Sequence, residues 1–158
     1  MFKVLILTAD AGFGHRSAAI AIHEAIKIRY SQDIYSEIFN PMDDKHVPNF
    51  LRETQSDYDK WVREVPELYR FGYQVSDGAI PSTIMESILT VLMFEALRTV
   101  IDNFSPNLIV TTYPLYQAPL NAVLAVNNLS IPIMTVLTDI TSLHRIWFNP
   151  DVDLFVVP

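Results

Sequence analysis

The sequence predicts an α/β fold: a Rossmann-like parallel sheet with helices on both faces. Three observations predict it. An apolar run, Phe2 to Thr8, leads through a glycine turn into an Ala-rich helical pattern. Short β-branched runs then alternate with helical stretches along the chain, the pattern of a parallel sheet with crossover helices. The third strand, Leu108-Ile109-Val110-Thr111-Thr112, is apolar without alternation, as a strand covered on both faces must be.

Taken in order, Phe2–Thr8 is the first strand and residues 9–14 are the turn. From His15 to about Tyr30 the apolar positions Ala18, Ala21, Ile22, Ala25, Ile26 and Ile28 recur at helical spacing. Ile34–Phe39 alternates as a second strand, and Asn40-Pro41 ends it. Residues 43–81 mix charges with Phe50, Tyr58, Trp61, Tyr69, Phe71 and Tyr73. A βαβ crossover is normally short, so this stretch is expected to be a helical aromatic insertion, with short helices over 49–64 and 66–75. Pro81-Ser82-Thr83 is expected to start a long helix, Thr83 and Glu86 forming a capping box. Its apolar stripe, from Ile84 to Ile101, is broad enough for burial on two sides. Tyr116–Asn127 is a helix, Pro132–Leu137 a fourth strand and Leu154–Val157 a fifth. A single domain over residues 1–158 is the expectation at this length. A chain closing on a core strand is expected to continue into, or to meet, a further half.

Composition narrows the function. Eighteen acids against eleven Lys and Arg give a net charge of −7, which disfavours nucleic acid as a partner. There is no cysteine, hence no disulfide framework and no thiolate metal site. No run reaches the roughly 18 apolar residues of a membrane span, and the glycine turn falls where a signal cleavage site would stand. No His or carboxylate pair has strong metal-ligand spacing, so no metal is expected.

Ligands of such sheets bind outside the carboxyl ends of the strands. Three loops project there: residues 9–15, 113–116 and 138–147. The first holds Gly12-Phe13-Gly14-His15. It lacks the third glycine of a dinucleotide fingerprint, with Ser17 in its place, and no acid closes the second strand. It is not a Walker loop either. One reading is an ordinary glycine turn. The other is a backbone cradle for a phosphate or oxyanion, with His15 as proton acceptor, since imidazole titrates near neutrality. The third loop holds Thr138, Asp139, His144 and Trp147. Asp139 could cap a turn and His144 lie on the surface. Alternatively, Asp139 orients an imidazole or substrate hydroxyl across the crevice from His15, with Trp147 and Phe148 as a wall. His23 reads as structural and His46 as solvated.

At these residues the sequence resembles the monogalactosyldiacylglycerol synthases and related bacterial diacylglycerol glucosyltransferases. Thr8 to Ala19 is similar to their glycine-loop-plus-histidine signature, with Phe13 where plant-type members have a Gly. Pro106 to Pro114 resembles their "P-D-x-I-V-x-T-x-P" strand, and Thr138-Asp139 with His144 and Trp147 their "T-D-x(4)-H-x-x-W" loop. The resemblance implies the N-terminal, acceptor-binding half of an inverting GT-B glycosyltransferase, whose donor-binding half is a further domain or a separate subunit. It implies transfer of galactose or glucose from a UDP-sugar, a co-substrate, with no other cofactor. His15 would be the base on the diacylglycerol hydroxyl, with Asp139 as its catalytic companion. Gly12, Phe13, Gly14, Pro114, Thr138, His144 and Trp147 would line the substrate and diphosphate site. The aromatic insertion, with Trp61, Tyr69, Phe71 and Tyr73, would meet acceptor and membrane. The enzyme would be cytoplasmic and peripheral on the inner face. The alternatives are half of a transferase for a polyprenyl-linked acceptor and a non-catalytic membrane-anchoring module.

Overall fold

The computed structural model describes residues 1–11, 13–53, 79–139 and 144–158. Its centre is a five-stranded, all-parallel sheet: β1 Phe2–Leu7, β2 Ile34–Phe39, β3 Leu108–Thr111, β4 Ile133–Val136 and β5 Leu154–Val156, in the spatial order β2-β1-β3-β4-β5. Among the described residues, α-helices α1 Phe13–Tyr30, α2 Ala79–Phe104 and α3 Gln117–Val126 accompany it. The expected α/β class and parallel sheet are therefore observed.

The two-residue period of β1 divides the core. Leu5 and Leu7 point to one face, where they join Met93, Leu97, Ile101, Ile109, Leu120 and Ile133 beneath α2 and α3. Val4 and Ile6 point to the other, with Val110 and with Ala19, Ile22 and Ile26 of α1. Small Ala19 is fully buried, which lets the start of α1 lie close on the sheet. Ile28 shares the helical spacing but is 79% exposed.

Three sequence expectations need correction. α1 begins at Phe13 and not His15, so His15 sits inside the first helical turn. α2 begins at Ala79; Thr83 is thus in its second turn and cannot cap it. Pro81 is accommodated because first-turn N–H groups have no intrahelical acceptor to lose. Nor is α2 buried on two sides. Leu89, Met93, Ala96, Leu97, Val100 and Ile101 are buried, whereas Ile84, Ile88 and Val91 are 56%, 54% and 77% exposed. A helix in the outer layer of a sheet sandwich has one inward stripe, and these three residues lie off it. The expected helices over 49–64 and 66–75 lie mostly outside the described residues; 49–53 are helical.

From β1 the chain crosses to β2 on one side and then returns to β3 on the other, so β1 and β3 are neighbours whose loops diverge. The crevice at their carboxyl ends is the switch point where α/β sheets take ligands. Among the described residues no helix is long and apolar enough to cross a membrane.

Candidate functional site

His15 is placed at the switch point by α1, one turn beyond the end of β1. Its Nδ1 lies 2.7 Å from the backbone carbonyl of Thr112, the residue that follows β3. A peptide carbonyl can only accept, so Nδ1 carries a hydrogen in both charge states of the ring. The same Nδ1–H reaches Thr138 Oγ1 at 2.8 Å. Nε2 is then the basic nitrogen of the neutral ring.

Aromatic groups flank the imidazole. Tyr113 meets it edge-on, with ring centres 5.0 Å apart and planes at 79°. Trp147 is tilted 40° at 5.9 Å. Burial among these groups lowers the His15 pKa below the ordinary 6.5, partly opposed by the Thr112 carbonyl and by the charge of Asp139. Half-burial thus keeps the ring neutral, the form a proton acceptor needs.

Asp139 is not hydrogen-bonded to His15. Its Oδ2 accepts from Trp147 Nε1 at 2.7 Å, so its effect on the imidazole is through charge and through the indole it holds. Trp147 is 1% exposed and closes the short 3-10 turn Arg145–Trp147. His144 is not a surface residue. It is buried, and its Nδ1 accepts from the Ile146 N–H at 3.1 Å as the cap of that turn. Pro114 opens the 3-10 turn Pro114–Tyr116 after β3. Phe148 is exposed beside the loop. Gly12, the side chain of Phe13, residues 140–143, and Trp61, Tyr69, Phe71 and Tyr73 lie outside the described residues. His23, read as structural, is within 2.9 Å of Ser36 Oγ on β2, and exposed His46 pairs with Asp44.

Sequence reasoning missed three residues. Thr112 holds the imidazole through its carbonyl, an atom that every residue type carries. Gln117, 1% exposed, donates through Nε2 to the Trp147 carbonyl at 3.0 Å and accepts from the Asn149 N–H at 3.1 Å. It fastens the indole-bearing turn to α3. Its available signal was an amide at the start of a mainly apolar helix. Tyr116 is fully buried, and burial pushes its phenol pKa well up. It stays protonated, with its hydroxyl 3.1 Å from the Thr8 carbonyl and 3.2 Å from Asn40 Oδ1.

Gly14 stands in the first turn of α1. A Cβ built there would meet Thr138 Cβ at 3.8 Å and Oγ1 at 4.0 Å, ordinary contact distances. The fold does not require this glycine. Gly14→Ala is expected to leave stability unchanged or raise it by up to about 1 kcal/mol in chemical denaturation. A loss of activity without a loss of stability would mark the glycine as space kept for a ligand. A second concavity of about 320 Å³ lies between α2 and the β1–β2 edge, lined by Leu5, Glu37, Phe39, Asp44, Val100 and Phe104 among others. None of the groups around His15 lines it.

Among the described residues, no three His, Asp or Glu side chains are grouped to hold a metal ion. The arrangement offers one neutral imidazole with a fixed tautomer, walled by aromatic rings at the mouth of a parallel sheet.

The family model described as monogalactosyldiacylglycerol (MGDG) synthase matches residues 15–158. Monogalactosyldiacylglycerol synthase 3, chloroplastic, of Arabidopsis thaliana is 29% identical over 160 residues, covering 98% of this chain and 33% of the relative. Synthase 2 of the same plant is 29% identical over 159 residues, covering 99% and 33%. The Spinacia oleracea chloroplastic synthase is 28% identical over 149 residues, covering 93% and 28%. The chain therefore spans about a third of the length of the curated relatives it matches.

Proposed function

Because the chain belongs to the monogalactosyldiacylglycerol synthase family, we propose that it is the acceptor-binding half of a glycolipid glycosyltransferase, with His15 as the base. The observation that carries the proposal is the 2.7 Å contact between His15 Nδ1 and the Thr112 carbonyl. It lies inside the matched segment and leaves Nε2 to take a proton.

The reaction is a single displacement. The acceptor hydroxyl of diacylglycerol loses its proton to His15 Nε2. Its oxygen forms a bond to the anomeric carbon of the sugar on the opposite side from the leaving group. The bond from that carbon to the diphosphate oxygen breaks, and UDP leaves with the electron pair, so configuration inverts. No resident cofactor or metal takes part in this reading. The donor, UDP-galactose or UDP-glucose, is held by a further domain or a separate subunit, and this chain alone does not turn over. Gly14, Thr138 and Pro114 border the reacting centre in this reading, with Gly12 and Phe13 directly before Gly14 in the sequence. Trp147 walls it. Asp139 biases the imidazole by its charge, which favours the imidazolium formed as the proton arrives. His144 serves the site by capping the turn that presents Trp147.

The lipid is met at the same end of the sheet. α2 starts at the carboxyl ends of the strands, as a crossover helix between parallel strands must, and its first turns expose Ile84 and Ile88. The aromatic stretch with Trp61, Tyr69, Phe71 and Tyr73 directly precedes it in sequence. Such residues suit a bilayer interface, in this reading the inner, cytoplasmic face. Transfer to diacylglycerol in mixed micelles, by this chain combined with its donor-binding half, tests the proposal. Preference for a polyprenyl-phosphate acceptor would move the chain to a different lipid substrate. No flotation of the wild-type chain with liposomes, against which Trp61→Ala is the comparison, would remove the membrane contact.

A further inference from the structure

Thr112 is 0% exposed and touches His15 twice, from two different groups. Its carbonyl accepts from the ring at Nδ1, 2.7 Å away. Its Oγ1 lies 2.9 Å from the backbone carbonyl of His15 itself. Other acceptors around this hydroxyl are more distant: Thr8 Oγ1 at 3.1 Å and the Leu7 carbonyl at 3.5 Å. The single hydroxyl hydrogen therefore goes to the His15 carbonyl, and Thr8 can donate to Thr112 Oγ1 in turn. The backbone N–H of Thr112 is spent on the Leu7 carbonyl at 3.0 Å. The main chain and ring of His15 are thus tied to one residue, which is tied to β1.

We propose that Thr112 is the positioning residue of the site: its side chain fixes the first turn of α1 so that its own carbonyl selects the Nδ1–H form of His15. This rests on the reading of His15 as a base. The choice of partner has a chemical consequence. A carboxylate in the same place would also select this tautomer, but would raise the pKa of the ring strongly. A hydroxyl could donate or accept and would select neither form. A buried peptide carbonyl selects the tautomer without adding a full charge. The ring can then be both oriented and neutral.

The hydroxyl and the methyl of Thr112 separate by substitution. Thr112→Val keeps the shape and removes the hydroxyl; Thr112→Ser keeps the hydroxyl. Nitrogen-15 NMR of the imidazoles in this chain, in the neutral ring, reads the tautomer without any need for turnover. The wild type and Thr112→Ser are expected to show His15 with a protonated Nδ1 and a bare Nε2. Thr112→Val is expected to show a mixture, with the Nε2–H form rising at least about tenfold over wild type. In the assembled enzyme, kcat is expected to fall about tenfold for Thr112→Val with KM unchanged, and to recover in Thr112→Ser. An unaltered tautomer and kcat in folded Thr112→Val would overturn the proposal. If Thr112→Val does not fold, Thr112→Ala and Thr112→Ser are compared by the same spectra, and identical tautomers in the two overturn it equally. Loss of the base assignment would show separately, as a His15→Gln enzyme that keeps its rate.

Discussion

Trp147→Ala is expected to destabilise the chain by about 3–5 kcal/mol, the range for truncating a large buried aromatic side chain. Trp147 is among the largest fully buried side chains, and its loss has three parts. A cavity opens that the 3-10 turn cannot fill without releasing the Gln117 bond to the Trp147 carbonyl. Asp139 loses the indole N–H that its carboxylate accepts. His15 loses the ring that tilts against it at 5.9 Å. Trp147→Phe separates these parts, since it keeps most of the apolar volume and removes only the donor. It is expected to cost less than half as much in chemical denaturation while still lowering activity. Equal losses for the two variants would mean that the hydrogen bond to Asp139, and not the packing, holds the loop.

His15→Gln is expected to lower the kcat of the assembled enzyme by about 10²–10⁴-fold, the usual contribution of a positioned general base. The amide can still donate to the Thr112 carbonyl, so the first turn of α1 and the Thr112 contacts are preserved. What disappears is a nitrogen able to accept a proton at neutral pH. Stability should move little, because His15 is only half-buried and the amide keeps the bond to the Thr112 carbonyl. A variant that folds like wild type and keeps its rate would leave His15 a structural residue.

The fold was largely legible because its strands carry strong local signals. β2 runs from Ile34 to Phe39 as the alternation predicted, since Asn40-Pro41 closes it. β1 and β3 were readable from apolar runs that only a doubly covered strand tolerates. α2 was harder. Its apolar residues circle the helix, and periodicity alone cannot say which of them face the sheet. Ile84, Ile88 and Val91 were therefore assigned to a core that does not reach them. At the site, side chains with distinctive chemistry were found: the fold brings His15, Thr138, Asp139 and Trp147 together from loops more than a hundred residues apart. The pairing among them was not legible. Asp139 serves the indole, and His144 caps a turn, because short-range bonds within a loop compete with contacts across the crevice. The partner of the imidazole is a backbone carbonyl, which has no residue signature at all.

The dependence of kcat/KM on pH in the assembled enzyme tests the role of His15 most directly. A base must be unprotonated, and burial holds His15 below the ordinary imidazole value of 6.5. The midpoint of the acid limb is therefore expected below 6.5, and that limb is expected to be missing from the residual rate of His15→Gln. An acid limb that persists unchanged in His15→Gln would contradict the account, because the proton would then be leaving by way of another group.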